Sequence, residues 1–552
     1  MRIYTGLKTL IYYAVVIFAA LVAYHIFPAW QINDKQSIRF SPVRAAKDIN
    51  IISKKPHSIE HPKERKVVGD YLFYRLQQMG GSAQIFEYDS IKCKFGGYFD
   101  IANIYAEFAP DQVSDTTQYM LLIAHYDSRY KTKVLEDTVY SYGAADDGYG
   151  LGVILESISL ALKYKEYWRQ GIKVLFTDSE EHGLDGMKNA FEHNKEIFSN
   201  VNIAINVDAR GVKGPALLFE TSPGNSKLIE LYKEAEKPYT YSLTSLVYRF
   251  LPNDSDLSVI IDTIPGMNFS VIDNLKYYHT DLDNYSNISL KSIQHYGCQL
   301  EPMIYKYLIS SDYSNPDSFK SSDNAIFFTI PFIGLVTFSK LGYIILNVVA
   351  YIIFILTVAY LFTFKKINFS EIVKSLKYAA IIFVGALVVG ELMAWLVASI
   401  NGEEFSLTSV KYVKYDYIIM ITSLFILFLW TLITYRIKVN RSLQASYNSL
   451  VGAQIFLMIL SLLLCAFVVE NFFVFVPFAV SVLAFVLSMI LRNKFVYLIS
   501  AFVISLLGFS FIYVLITALS FGAFGILLAL SYLYINILIT QYYCYKRNNF
   551  II

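Results

Sequence analysis

Residue types that suit metal ligation fall at the ends of short apolar runs. Met120–Ala124 leads into His125-Tyr126-Asp127-Ser128, Ile172–Phe176 into Thr177-Asp178-Ser179-Glu180-Glu181-His182-Gly183, and Ile203–Val207 into Asp208. The loop Gly143-Ala144-Ala145-Asp146-Asp147-Gly148 lies between the first two runs, and Tyr278-His279-Thr280 comes later. Two histidines and three carboxylates suit a pair of zinc ions sharing one bridging carboxylate, because zinc takes imidazole nitrogen and carboxylate oxygen and leaves a position for water. Two metals about 3.5–4 Å apart can deprotonate a bridging water and stabilise a tetrahedral intermediate. A carboxylate outside the coordination shell can take that water's proton. Glu180 and Glu181, side by side, offer both functions, and Asp127 is spaced to orient the His125 imidazole.

Taken singly, each residue has a plainer reading. A histidine after a strand is usually a surface or packing residue. Asp146-Asp147-Gly148 reads as a turn and helix N-cap, and Glu180-Glu181 as a solvated helix start. Only their recurrence at successive strand ends argues for a metal centre. His182 and His193 form no HExxH pattern, so a zincin is excluded. His57, His61 and His295 read as surface residues.

The elements that must position these groups alternate. Helical periodicity covers residues 61–80, 148–168, 184–198, 225–236 and 287–310; buried strands are expected at 120–124, 172–176, 203–207, 216–219 and 266–271. Strands alternating with helices predict an α/β fold, a three-layer sandwich around a mainly parallel sheet. Ligands of such sheets sit at the carboxyl ends of the strands, where the His and carboxylate residues fall.

The 552 residues are 55% hydrophobic and only 17% charged, which excludes disorder and a purely soluble enzyme. A net charge of +2 leaves no basic excess for nucleic acid. Four cysteines are too few for a disulfide scaffold, and whether Cys93 and Cys298 pair is open. The apolar run from Thr9 to about Trp30 is near the ~20 residues that cross a bilayer and reads as a retained signal anchor, with Pro28-Ala29-Trp30 as its interfacial end.

Seven further spans are expected at about 341–363, 378–399, 416–435, 447–469, 472–491, 495–517 and 520–541. Basic residues such as Lys365, Lys366, Arg436, Arg441, Arg492, Lys494, Lys546 and Arg547 cluster on one side of this arrangement. The positive-inside rule then puts both termini in the cytoplasm and residues 31–340 on the other side. Asn324–Ser339, which contains Pro331, reads as strand or interfacial packing rather than a ninth span. Glu391 lies inside a span, a position that suggests function by default.

The set HYDS, GAADDG, DSEEHG, NVDA and YHT resembles the dizinc aminopeptidase family that includes leucyl-type aminopeptidases and glutamate carboxypeptidase, over about residues 60–310. The membrane layout is most similar to the endoplasmic-reticulum and vacuolar membrane metallopeptidases. The resemblance implies two Zn2+ ions, one held by His125 and Asp208, the other by Glu181 and His279, bridged by Asp146 rather than Asp147, with Glu180 as general base. The family's oxyanion tyrosine precedes a Ser-Asp-His motif; this chain reads Tyr248 to Asp256 without that His, leaving Tyr248 or Arg249 for the role.

The expectation is a membrane-anchored zinc exopeptidase, an aminopeptidase acting on peptides. The alternative is a transporter or assembly scaffold with a peptide-binding or processing ectodomain. The expected organisation is an anchor at 1–30, a dizinc peptidase domain at 31–325, a linker at 326–340 and a membrane domain at 341–552.

Overall fold

The computed structural model describes residues 2–26, 39–134, 137–250, 253–402, 404–407, 413, 415–439 and 442–547. Pro28-Ala29-Trp30 and Leu251-Pro252 lie outside the described residues. The chain divides into two compact units, Phe27–Ser339 and Met1–Ile26 with Lys340–Ile552.

The first unit is built on strands β1 (Ser82–Lys92), β2 (Tyr98–Phe108), β3 (Tyr119–His125), β4 (Thr132–Val134), β5 (Asp137–Val139), β6 (Gly171–Thr177), β7 (Val201–Ala209), β8 (Lys213–Thr221) and β9 (Gly266–Asp273). Seven of them form one sheet in the order β1-β2-β6-β3-β7-β9-β8. The central four, β6, β3, β7 and β9, run parallel. The β1–β2 hairpin on one edge and β8 on the other are antiparallel, so the sheet is mixed rather than mainly parallel. The sequence reading missed β1 and β2, whose outward residues are polar and whose apolar runs are broken.

The sheet is buried on both faces because its central strands are mostly apolar, and successive side chains point to opposite sides. In β3, Met120, Leu122 and Ala124 join one core together with the helices Pro42–Ile52, Pro62–Gln78, Gly148–Ala161, Ser226–Tyr232 and Leu290–Ile309. Leu121 and Ile123 join the opposite core with Met187, Ala190, Ile197, Leu257 and Ile260. Three layers result.

Residues 325–339 form a hairpin, β10 (Ala325–Ile330) with β11 (Gly334–Ser339), within this unit; Thr329 N–H donates to the Thr240 carbonyl. His57 and His295, expected at the surface, are buried instead. The His295 ring is held on both sides, Nδ1 accepting from Ala216 N–H and Nε2 lying 2.9 Å from the Lys237 carbonyl. Cys93 and Cys298 are not joined.

Among the described residues, eight helices are long and apolar enough to cross a membrane: one at Gly6–Ala23 and seven between Lys340 and Lys546. The chain is a multi-pass membrane protein. Neutral polar groups tie the helices together: Tyr343 donates to Asn471, and the Asn471 amide donates to Asn347 and Ser461. The N-terminal helix joins the same unit, the Tyr12 hydroxyl donating to the Leu538 carbonyl. Gly390 and Gly525 touch so closely that a Cβ on Gly390 would stand 2.4 Å from Gly525 Cα. Glu391 lies beside that contact, where a Cβ on Gly525 would stand 2.6 Å from Glu391 Cγ.

Candidate metal centre

The parallel strands bring their carboxyl ends to one edge of the sheet. His125 ends β3 opposite Thr177 of β6, and Asp208 lies near the end of β7. Asp146 stands just before the helix Gly148–Ala161, and the Asp146–Asp147 peptide is cis. Asp147 caps that helix, its carboxylate accepting the Gly150 N–H at 2.9 Å. The two adjacent aspartates are thereby separated, one into the helix cap and one toward the histidines.

His125 Nε2 lies 3.1 Å from Asp146 Oδ1 and 4.0 Å from Asp208 Oδ1. His279 Nε2 lies 3.3 Å from Asp146 Oδ2 and 3.1 Å from Glu181 Oε1. Two groups of ligand atoms therefore share Asp146, one formed with His125 and Asp208 and the other with Glu181 and His279. His279 has φ +61° and stacks on Tyr278, a backbone state that costs energy for a non-glycine residue and is concentrated at functional sites.

The residues fit a cation on three grounds. First, the Asp127 carbonyl is 2.9 Å from His125 Nδ1 and can only accept, so Nδ1 carries the hydrogen. In the neutral ring the Nε2 lone pair then faces two carboxylates, an arrangement that repels unless a positive charge lies between them. Second, Asp146 Oδ2 and Glu181 Oε1 are buried without a hydrogen bond, which is costly unless another partner satisfies them. Third, burial and then Glu181 push Asp146 well above the carboxylate range. Burial alone would lower His125, yet Asp127 and Asp146 raise it well above the usual histidine value. Carboxylates that would hold a proton on His125 equally attract a cation in its place.

The supporting groups are as specific as the ligand atoms. The Asp127 carboxylate accepts N–H bonds from both Glu180 (3.0 Å) and Glu181 (3.3 Å). It thus holds the backbone of the carboxylate pair, while its carbonyl holds His125. Arg129 Nη1 donates to Glu181 Oε2 at 3.0 Å and to the Glu181 carbonyl at 2.9 Å, leaving Oε1 directed at His279. Burial opposes ionisation of Glu181, but His279 and Arg129 hold it well below the usual range.

Sequence reasoning missed Arg129, Asp283 and Asp256. Asp283 accepts from Ala145 N–H (2.7 Å), Asp146 N–H (3.3 Å) and Ser141 (3.0 Å), fixing the loop that presents Asp146. The only local signal was its position four residues after His279. Asp256 is buried, accepts from the Thr177 hydroxyl, and is pushed up to about 7, chiefly by burial. Of the two oxyanion candidates, Arg249 is exposed and donates to the Thr221 carbonyl. Tyr248 is half-buried; burial and then Glu220, Asp208 and Glu180 raise its hydroxyl, which places it in the field of this centre.

Residues 103–302 match the family model described as Peptidase family M28. The match covers 200 of the chain's 552 residues. The chain is also similar to the endoplasmic reticulum metallopeptidase 1 of Rattus norvegicus, at 28% identity over 275 residues, 48% of this chain and 29% of the relative. A vacuolar membrane protease of Candida tropicalis is 25% identical over 260 residues, 45% of this chain and 27% of the relative. The match therefore spans under a third of the length of these membrane relatives. The crystal structure of Porphyromonas gingivalis glutaminyl cyclase covers 49% of this chain and 99% of its own, at 22% identity and TM-score 0.40.

Proposed function

We propose that the protein is a membrane-anchored dizinc exopeptidase, an aminopeptidase hydrolysing peptides on the non-cytoplasmic side. The observation that carries the reading is the pair of ligand groups joined through Asp146. In this reading His125 and Asp208 would hold one zinc and Glu181 and His279 the other, with Asp146 common to both groups. Bound zinc supplies Lewis acidity toward the scissile carbonyl and acidifies the attacking water.

The chain's own residues do the rest. Glu180, outside both ligand groups, is the general base that takes the water's proton and returns it to the leaving amine. Asp127 sets its position through the two backbone N–H bonds. Arg129 locks one oxygen of Glu181 and leaves the other directed at His279. For the oxyanion, Tyr248 is the preferred donor, because Arg249 donates to the Thr221 carbonyl. The eight apolar helices anchor the enzyme, with basic loops and both termini in the cytoplasm.

The test is hydrolysis of paired peptides with free and blocked N-termini, before and after chelation. Activity confined to free N-termini, lost to chelator and restored by zinc, is the expected result. A metal-free preparation with full peptidase activity overturns the reading.

A further inference from the structure

His182 and Asp185 continue the turn that carries Glu180 and Glu181, and the connection between β1 and β2 brings Cys93 against them. Each of the three offers a ligand atom, and these atoms all lie within 4.8 Å of one another. All three residues are buried, His182 being only 6% exposed, and its Nδ1 has no hydrogen-bond partner. The imidazole is walled by the rings of Phe95, Phe99 and Tyr130, at centroid distances of 5.9, 5.5 and 5.1 Å. A polar nitrogen unsatisfied among aromatic rings is a costly arrangement unless something binds it.

We propose that Cys93, His182 and Asp185 form a third cation site, distinct from the centre built on Asp146, which takes a zinc-type cation with Cys93 as thiolate. The donor set decides the metal class. Sulfur and imidazole select borderline-soft ions such as zinc, whereas calcium and magnesium require oxygen cages. Three protein ligands leave a fourth position for water.

Cys93 Sγ lies 3.7 Å from the Ile91 carbonyl and 3.9 Å from Ser179 Oγ, and Asp185 Oδ2 accepts from Ser179 Oγ at 3.2 Å. Burial, ahead of Asp185, pushes the thiol up to about 12, so it carries its proton at neutral pH. Binding replaces the S–H bond with a sulfur–metal bond and releases the proton to solvent.

The site would clamp the hairpin onto the segment that carries the carboxylate pair. The two already touch: a Cβ on Gly183, which has φ +135°, would meet Lys94 Cβ at 2.5 Å. The cation would tie an edge hairpin to the turn that carries the carboxylate pair.

The test uses the full chain in detergent, stripped with chelator and reloaded with Co2+. The Asp146 centre has only nitrogen and oxygen donors, so a thiolate-to-cobalt charge-transfer band in the near ultraviolet reports the Cys93 site alone. Wild type is expected to show the band and to bind one more equivalent of metal than Cys93→Ser, which lacks the band. His182→Gln keeps the thiol and should shift or abolish the band, and it serves where Cys93→Ser does not fold. Cobalt-loaded wild type without the band, or equal stoichiometry in wild type and Cys93→Ser, overturns the proposal. Failure of the dizinc reading would lower both stoichiometries equally and leave their difference intact.

Discussion

Replacing Asp127 by Asn tests whether this centre depends on the brace beneath its carboxylate pair. Asp127 is 1% exposed and accepts the Glu180 and Glu181 N–H groups through separate oxygens. An amide of the same size keeps one acceptor, but its NH2 group meets the other N–H donor to donor. Losing one hydrogen bond to a charged group costs about 1.5–3 kcal/mol. If it is expressed in the transition state, that is roughly a 10- to 150-fold drop in kcat/KM, since each ~1.4 kcal/mol is tenfold. Asp127→Ala removes both bonds and should fall further, by up to about 10⁴-fold. The His125 tautomer should survive both changes, because its Nδ1–H donates to the residue 127 carbonyl, which every substitution keeps. The assay is kcat/KM on a peptide with a free N-terminus across a zinc titration, with metal content measured alongside. The expected order is wild type, then Asn, then Ala, with zinc affinity falling in parallel as Glu181 loses its position. An Asn variant with wild-type kcat/KM at limiting zinc and unchanged metal content would refute the reasoning, leaving Asp127 a packing residue.

The adjacent glutamates should separate by assay. Glu180→Gln should retain the metals and lose on the order of 10²–10⁴-fold in turnover, whereas Glu181→Ala should lose zinc; the opposite metal contents would reverse the roles. Acid should weaken the fold through His295, held down to about 3 by burial. The unfolded chain takes up a proton below about pH 6.5 while the folded ring does not until near its own value. Stability is therefore lost as pH falls across that window, by about 2 kcal/mol at pH 5. Melting curves at pH 7 and 5 should show a smaller acid loss for His295→Gln, and equal losses in the two proteins would contradict the assignment. For topology, tags at residue 1, in the Arg436–Arg441 loop and at Ile552 should report cytoplasm, and a tag near Ser321 the opposite side. A cytoplasmic Ser321 would overturn the orientation.

What the sequence made legible follows from the range of each interaction. A buried strand announces itself as a run of apolar residues, so β3, β6 and β7 were readable, and the residues that end them were readable as a convergent set. The longer helices such as Pro62–Gln78, Gly148–Ala161 and Leu290–Ile309 and the membrane spans were readable for the same reason, because burial along one element leaves a local pattern. Pro42–Ile52 and Asp256–Ile260 were missed. The β1–β2 hairpin was not, since its solvated face interrupts the pattern and its pairing to β6 is a tertiary fact. Within the centre the ligand residues were visible in short motifs, but the groups that aim them were not. Asp283 reaches back 137 and 138 residues to the backbone of Asp146 and Ala145, and Arg129 reaches forward 52 to Glu181. No spacing rule connects such partners.

The same distinction explains the adjacent pair Asp146-Asp147. Composition makes them equivalent, and either could cap the following helix. Asp283 separates them, holding the Ala145 and Asp146 amides so that Asp147 falls to the helix start and Asp146 to the histidines. The chemistry of the centre is thus carried by residues a sequence can display, and its selectivity by residues that only folding brings near.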